Sequence, residues 1–115
     1  MNKAPIPDDE SERQAAVDRL QVVNTAPEER FDVLTKGAAA ELNAPISTIS
    51  IIDKDQEWFK SKVGTPKTSS PRGTSFCGHT IMQGKIFVIE DTHEDPRFKN
   101  NPQVTEPPHI RFTPV

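Results

Sequence analysis

Cysteine and long apolar runs are scarce in this chain of 115 residues. The single cysteine, Cys77, cannot form a disulfide within the chain, which favours a reducing compartment and predicts a cytoplasmic location. No stretch approaches the roughly 20 apolar residues of a membrane span. The N-terminal segment MNKAPIPDDESER lacks the apolar run of a signal peptide. We therefore expect neither a membrane partner nor a secretion signal.

An excess of basic charge is also lacking, because 14 Lys and Arg face 17 Asp and Glu, for a formal net charge of −3. Nucleic acids and anionic membranes attract strongly basic surfaces, so nucleic acid is not expected as a partner. A local basic run is nevertheless present. We expect it to form a solvated strand edge, with an acidic partner as the alternative. Its members are Lys54, Lys60, Lys62, Lys67 and Arg72.

Two helical patterns lead the chain, after residues 1–7, which hold two prolines and are expected to be a flexible arm. The first helix is predicted to be capped by Asp8 or Asp9, with acidic residues in its first turn. The second is predicted to begin at a capping box formed by Thr25 and Glu28. Its apolar stripe, expected to face the core, consists of Phe31, Leu34, Ala38 and Leu42.

Strand patterns follow from Pro45 onward. Residues 46–52 (ISTISII) are apolar on both faces, which predicts an inner strand, and residues 57–63 are predicted to pair with it as an antiparallel hairpin. Because helices lead and strands follow, the order favours an α+β sandwich. The later predictions are a loop over 64–75, a helix over 76–83 capped by Ser75, a strand over 86–90, a polar loop over 91–108 and a strand from 109.

Several motifs together resemble bacterial GAF domains of the N-terminal sensor kind found in histidine kinases and diguanylate cyclases. They are TAPEERFDVLT, PISTISIIDKDQEWFKSKVG, PRGTSFCGHTI, DPRFKNNPQV and PPHIRF. The resemblance implies one domain over residues 8–115. Its antiparallel sheet would carry the N-terminal helices on one face, with a short helix and loops over a small-molecule pocket on the other.

Family members continue after the segment HIRF with a further strand and a long helix, whereas only TPV follows here. We therefore expect the last strand and the C-terminal helix to be absent from this domain. The absent strand would lie between the strand ISTISII and the strand that HIRF begins, so both would have open edges. Open strand edges pair with other chains, which predicts self-association.

The resemblance implies a sensory domain that binds a small molecule and signals to an output domain, a kinase or cyclase, that is not present in these residues. Cyclic di-GMP signalling and two-component systems are the expected contexts. A ligand-free dimerisation or interaction module is the alternative. No resident cofactor is expected. The residues that the resemblance places around the pocket are Ser75, Phe76, Cys77, His79, Asp91, Arg97 and Phe112.

Cys77 and His79 leave three interpretations open. They could join Asp91, His93 and His109 as metal ligands, although the paired spacing of a zinc site is missing and no metal is expected. Cys77 could serve as the nucleophile of a reductase, although the reductases of this family recycle through more than one cysteine, so no enzyme is expected. The favoured interpretation makes Cys77 a small apolar side chain on a packed helix.

Arg97 also has two interpretations. Its guanidinium could clamp the carboxylate or phosphate of a ligand in the pocket. The alternative, which we favour, is an ion pair with Asp91 or Asp95.

Overall fold

A computed structural model describes residues 3–115 of the chain. These residues form two compact units, which we call the hairpin unit (Asp9–Pro71) and the cleft unit (residues 3–8 and Arg72–Val115). Helices combine with antiparallel strands, which confirms the predicted α+β class. None of the described helices has the length and apolarity needed to cross a bilayer. A single domain over 8–115 and a flexible arm over 1–7 stay predictions, and Met1 and Asn2 lie outside the described residues.

The hairpin unit begins with helices α1 (Glu10–Leu20) and α2 (Glu29–Glu41). Acidic residues occupy the first turn of α1 as predicted, where they face the positive end of the helix dipole. The predicted capping box at Thr25 and Glu28 is wrong, because α2 begins only at Glu29 and its N-cap makes no side-chain hydrogen bond. The Thr25 hydroxyl instead donates to the carbonyl oxygen of Val22.

The predicted core stripe of α2 is also wrong, since the Leu34 and Leu42 side chains are 62% and 67% exposed. Thr35 is the buried residue of this helix. Its hydroxyl lies 2.7 Å from the hydroxyl of Ser61, which also donates to a carboxylate oxygen of Asp32 at 2.6 Å. Polar groups that satisfy each other therefore face the sheet. Of the apolar stripe, Phe31 is half-buried and Leu34, Ala38 and Leu42 are exposed.

Strands β1 (Ser47–Ile52), β2 (Gln56–Val63) and β3 (Ser69–Pro71) form an antiparallel sheet in the order β1-β2-β3. The β1–β2 hairpin is confirmed. β1 is not an inner strand among the described residues, because it pairs only with β2. The segment 64–75 is not all loop, since it contains β3 and a 3-10 turn at Arg72–Thr74.

A β-bulge interrupts the hairpin between Ile49 and Ser50 of β1. Ile49 lies opposite Ser61 and Ser50 lies opposite Phe59, so Lys60 is the extra residue on β2. A bulge breaks the alternation of side chains between the two faces of a strand. Lys60 and Ser61 are consequently both buried although they are neighbours in sequence.

The cleft unit contains α3 (Phe76–Thr80), β4 (Val88–Ile89), α4 (Pro102–Thr105) and β5 (Thr113–Pro114), with β4 and β5 antiparallel. Four features differ from the prediction. α3 ends at Thr80, β4 is shorter than the predicted strand over 86–90, the loop 91–108 contains α4, and the last strand begins at Thr113. The core of this unit comprises Phe76, Ile89, Phe98 and Val104.

Candidate functional site

An open cleft of about 730 Å³ lies within the cleft unit. Pockets for small molecules commonly span about 300–1,000 Å³ and combine apolar walls with a few polar groups, and this cleft has both. It is bordered by the N-terminal segment, the end of α3 and the loops before β4 and α4. The lining residues are Lys3, Pro5, His79, Met82, Gln83, Phe87 and Arg97.

Helix α3 positions His79 and is fixed at its start by Ser75. The Ser75 hydroxyl accepts a hydrogen bond from the Gly78 backbone N–H at 2.9 Å and donates to the Arg72 carbonyl at 2.8 Å. This is the predicted N-cap, and it satisfies a backbone donor that a short helix would otherwise leave unpaired. Gly78 has no room for a side chain, because a β-carbon there would lie 2.7 Å from the Ala4 methyl group.

His79 lies at the cleft with its ring edge-on to Phe98, at 4.7 Å between ring centroids. Burial lowers the pKa of His79, and the positive charge of Arg97 lowers it further, while Asp95 opposes both effects. The imidazole is therefore expected to be neutral near pH 7, offering one donor and one acceptor nitrogen.

Arg97 is held from two sides. Its Nε and Nη2 donate to the two carboxylate oxygens of Asp95 at 3.0 and 2.7 Å. Its guanidinium carbon lies 4.9 Å from the ring centroid of Phe87 and 5.2 Å from that of Phe98. This pair with Asp95 is one of the two arrangements that the sequence left open for Arg97. Because the side chain remains 46% exposed, the head group is oriented without being enclosed.

Of the seven residues predicted around a pocket, the structure brings His79 and Arg97 to the cleft. Ser75 and Phe76 are buried next to it, with the Phe76 and Phe98 rings 5.0 Å apart, and Cys77 is half-buried. Asp91 and Phe112 do not line the cleft. The Phe112 side chain is 61% exposed.

Asp91 forms a two-pronged ion pair with Arg111, with both N···O distances at 2.9 Å. This pair lowers the pKa of the Asp91 carboxyl to about 2, with further help from the His93 backbone N–H. Next to it, the buried Thr92 donates its backbone N–H to the Arg111 carbonyl at 2.8 Å. Asp91, which was predicted to contact a ligand, therefore joins its own loop to the segment that contains Arg111.

Sequence reasoning missed Lys3, Pro5, Met82, Gln83 and Phe87. Met82, Gln83 and Phe87 follow His79 closely in sequence, so extending the candidate set toward β4 would have found them. Lys3 and Pro5 gave no such signal, because only folding brings them beside α3. The backbone N–H of Ala4 donates to the Gly73 carbonyl at 3.0 Å, and Pro7 is buried.

Two predictions about charged and metal-binding residues can be compared with the structure. Lys60 and Arg72 are buried, so the expectation of a wholly solvated basic edge is wrong for these two members. Within residues 3–115, no three His, Cys, Asp or Glu side chains converge as metal ligands would. That the protein needs no metal stays a prediction.

The profile of the GAF domain matches residues 26–115. The chain belongs to the GAF domain family. It is also 38% identical over 112 residues to "Cyclic di-GMP phosphodiesterase PA2567" of Pseudomonas aeruginosa. That match covers 97% of this chain and 19% of the relative, so the chain spans about a fifth of the relative's length. GAF domains are regulatory modules, and the phosphodiesterase activity belongs to the relative.

Proposed function

We propose that this GAF domain is a sensory module that binds a small molecule in the cleft between α3 and the N-terminal segment. The observation that carries the proposal is the lining of this cleft. Oriented polar groups on His79 and Arg97 meet the apolar surface of Phe87 in a space of about 730 Å³. A few fixed polar groups within an apolar wall orient a small ligand.

The proposal includes an output domain that is not among these residues. The phosphodiesterase relative supports an output in cyclic di-GMP turnover, and a histidine kinase is the alternative. The module itself is proposed to be non-catalytic, since membership of the GAF domain family supports a regulatory role. A cytoplasmic location and a two-component context stay predictions.

The test is a native mass spectrum of the purified protein, followed by denaturation and identification of any small molecule released. Gln83→Trp should fill the cleft and abolish the bound mass, because an indole would occupy the ligand's space. Lys99→Trp, on the exposed surface outside the cleft, should retain it. No bound molecule and no thermal shift with any member of a metabolite set would contradict the proposal.

A ligand-free interaction module remains the second candidate because of strand β1. Its six residues carry no charged side chain, and β1 pairs on one side only among the described residues. Natural proteins protect such edges with charges, so an uncharged edge favours pairing with β1 of a second copy. The apolar side chains of Val33, Leu34 and Leu42 on α2 are also exposed, and a second copy of the chain could cover them.

Self-association should appear as a concentration-dependent dimer in light scattering, with slow hydrogen exchange across residues 47–52. Ser50→Lys should reduce the dimer fraction by placing like charges opposite each other at the paired edge. Thr68→Lys, which adds the same charge outside β1, should not. A monomer at every concentration would exclude this second function.

A further inference from the structure

The ionisable side chains that line the cleft are all basic or neutral. Lys3, His79 and Arg97 are present, and within residues 3–115 no Asp or Glu lines the cleft. The chain as a whole carries a net charge of −3, so the charge of the cleft lining is opposite in sign to that of the whole chain. A cleft lined by one sign of charge raises the local concentration of ligands of the opposite sign.

Arg97 keeps hydrogen-bonding capacity after its pairing with Asp95. A guanidinium has five N–H donors, of which Asp95 uses one on Nε and one on Nη2. The structure gives Nη1 no partner within residues 3–115. The free N–H groups of Nη1 and Nη2 lie parallel on one edge of the guanidinium plane, an arrangement that fits the two oxygens of a carboxylate. Stacking on Phe87 and Phe98 holds that plane in place.

Lys3 supplies a second positive charge from the N-terminal segment. The hydrogen bond from Ala4 N–H to the Gly73 carbonyl and the burial of Pro7 hold this segment beside α3. The Lys3 stem packs near Gly73, with its Cγ 3.7 Å from the place a β-carbon would take there. Its ammonium group has no hydrogen bond or ion pair within residues 3–115. Since Asp95 offsets the charge of Arg97, Lys3 is the cation of the cleft that has no counter-charge within residues 3–115.

We propose that the cleft selects a small organic carboxylate with an apolar, preferably planar body. The carboxylate would lie on the free edge of Arg97 with Lys3 as its counter-charge, and the body would lie against Phe87, Met82 and Pro5. This inference rests on the proposed function and specifies its ligand class. It also gives the N-terminal segment a role in recognition, because the segment contributes Lys3 and Pro5 to the cleft.

The test is a nuclear magnetic resonance titration of the full chain with three probes of similar size: benzoate, its neutral analogue benzamide, and phenyl phosphate. Benzoate should shift the backbone amides of His79, Gln83 and Phe87, whereas benzamide should leave them nearly unchanged. A fragment this small is expected to bind weakly. Lys3→Gln should weaken benzoate binding roughly fivefold, as expected for one exposed charge. Lys99→Gln, outside the cleft, should have no effect.

The outcomes separate this inference from the proposed function. Equal shifts with benzamide would show a cleft that binds without selecting charge, which overturns the inference and leaves the sensory function standing. A preference for phenyl phosphate would overturn the carboxylate assignment in the same way. If none of the probes shifts the cleft amides, the inference is wrong. The sensory function is then judged separately by the molecule found, or not found, in the native mass spectrum.

Discussion

The hairpin unit and the cleft unit are stabilised by different chemistry. The buried side chains of the hairpin unit are mainly polar: Thr35, Glu57, Lys60 and Ser61 accompany Val17 and Ile52. In the cleft unit, the rings of Phe76, His79 and Phe87 all lie within 6.1 Å of the ring of Phe98, measured between centroids. One unit depends on directional hydrogen bonds, and the other depends on packed rings.

Lys60 shows how the polar network of the hairpin unit is built. Its Nζ donates to the Thr25 hydroxyl at 2.7 Å, to the Ala26 carbonyl at 2.6 Å and to the Glu28 carboxylate at 2.8 Å. Three acceptors satisfy all three donors of an ammonium group, which makes its burial tolerable. This lysine therefore joins β2 to the segment between the helices and has no donor left for a ligand.

The aromatic cluster of the cleft unit, by contrast, is connected to the surface by polar side chains that pack on it. Phe98 is fully buried, while His79 and Arg97 pack on its ring and border the cleft. In the hairpin unit, the buried side chains of Thr35, Lys60 and Ser61 form their hydrogen bonds within the unit, as expected of a scaffold. The cleft at which we propose recognition lies where a packed aromatic core supports a side chain, Arg97, with unused hydrogen-bond donors.

The largest expected effect comes from Phe98→Ala in the cleft unit. Removing a fully buried ring should lower the free energy of unfolding by about 3–5 kcal/mol, because a cavity remains between Phe76 and Phe87. Urea unfolding followed by circular dichroism measures this change. Phe112→Ala is the matched control, since its ring is 61% exposed and should cost less than about 0.5 kcal/mol. Similar losses for both variants would contradict the aromatic account of this unit.

An intermediate effect is expected from Lys60→Met in the hairpin unit. The substitution keeps an apolar stem but leaves three oxygen acceptors without their donor, which should cost about 1–3 kcal/mol. Trp58, the only tryptophan of the chain and a neighbour on β2, reports the transition by fluorescence.

Lys62→Met serves as the control for Lys60→Met. Its ammonium group donates to the exposed carbonyls of Pro66 and Lys67, which water can satisfy in its place. The expected loss of stability is therefore small. If Lys60→Met were as stable as Lys62→Met, the polar network would not hold the hairpin unit together.

The sequence predicted those features of the two units that depend on residues close together in the chain. The acidic first turn of α1, the β1–β2 hairpin and the Ser75 cap follow from neighbours in sequence, and all three are present. The burial of Lys60 could not be predicted, because alternation places it at the surface until the bulge shifts the register.

Longer-range features were missed for a related reason. The helical spacing of Leu34 and Leu42 identifies an apolar face correctly, but Thr35 is buried instead because it finds a hydrogen-bonding partner in Ser61. At the cleft, His79 and Arg97 belong to recognisable motifs. Lys3 lies beside them because the Ala4 backbone N–H bonds to the Gly73 carbonyl and Pro7 is buried. Contacts between segments far apart in sequence leave no periodic signal.

The smallest expected effect concerns Asp91, whose carboxyl pKa of about 2 reflects first its hydrogen bonds to Arg111. Arg111→Gln should raise this pKa toward the ordinary value of 3.8, as measured by carboxyl titration in nuclear magnetic resonance spectra. Because the folded-state pKa is lowered, the pair stabilises the protein above pH 3.8, and this contribution is lost as the pH falls toward 2. The wild type and variant should therefore differ in stability at neutral pH and converge near pH 2.

Asp95 provides an internal control in the same spectra, since its pKa is lowered mainly by its hydrogen bonds to Arg97 and should not respond to Arg111→Gln. Both carboxylates accept two-pronged bonds from an arginine, but only Arg97 is packed against aromatic rings. A shift of Asp95 together with Asp91 would mean that the cleft unit rearranges as a whole when one surface pair is lost. An unchanged Asp95 would show that the arginine at the cleft is held by its own partners, as a recognition site that is ordered before its ligand arrives requires.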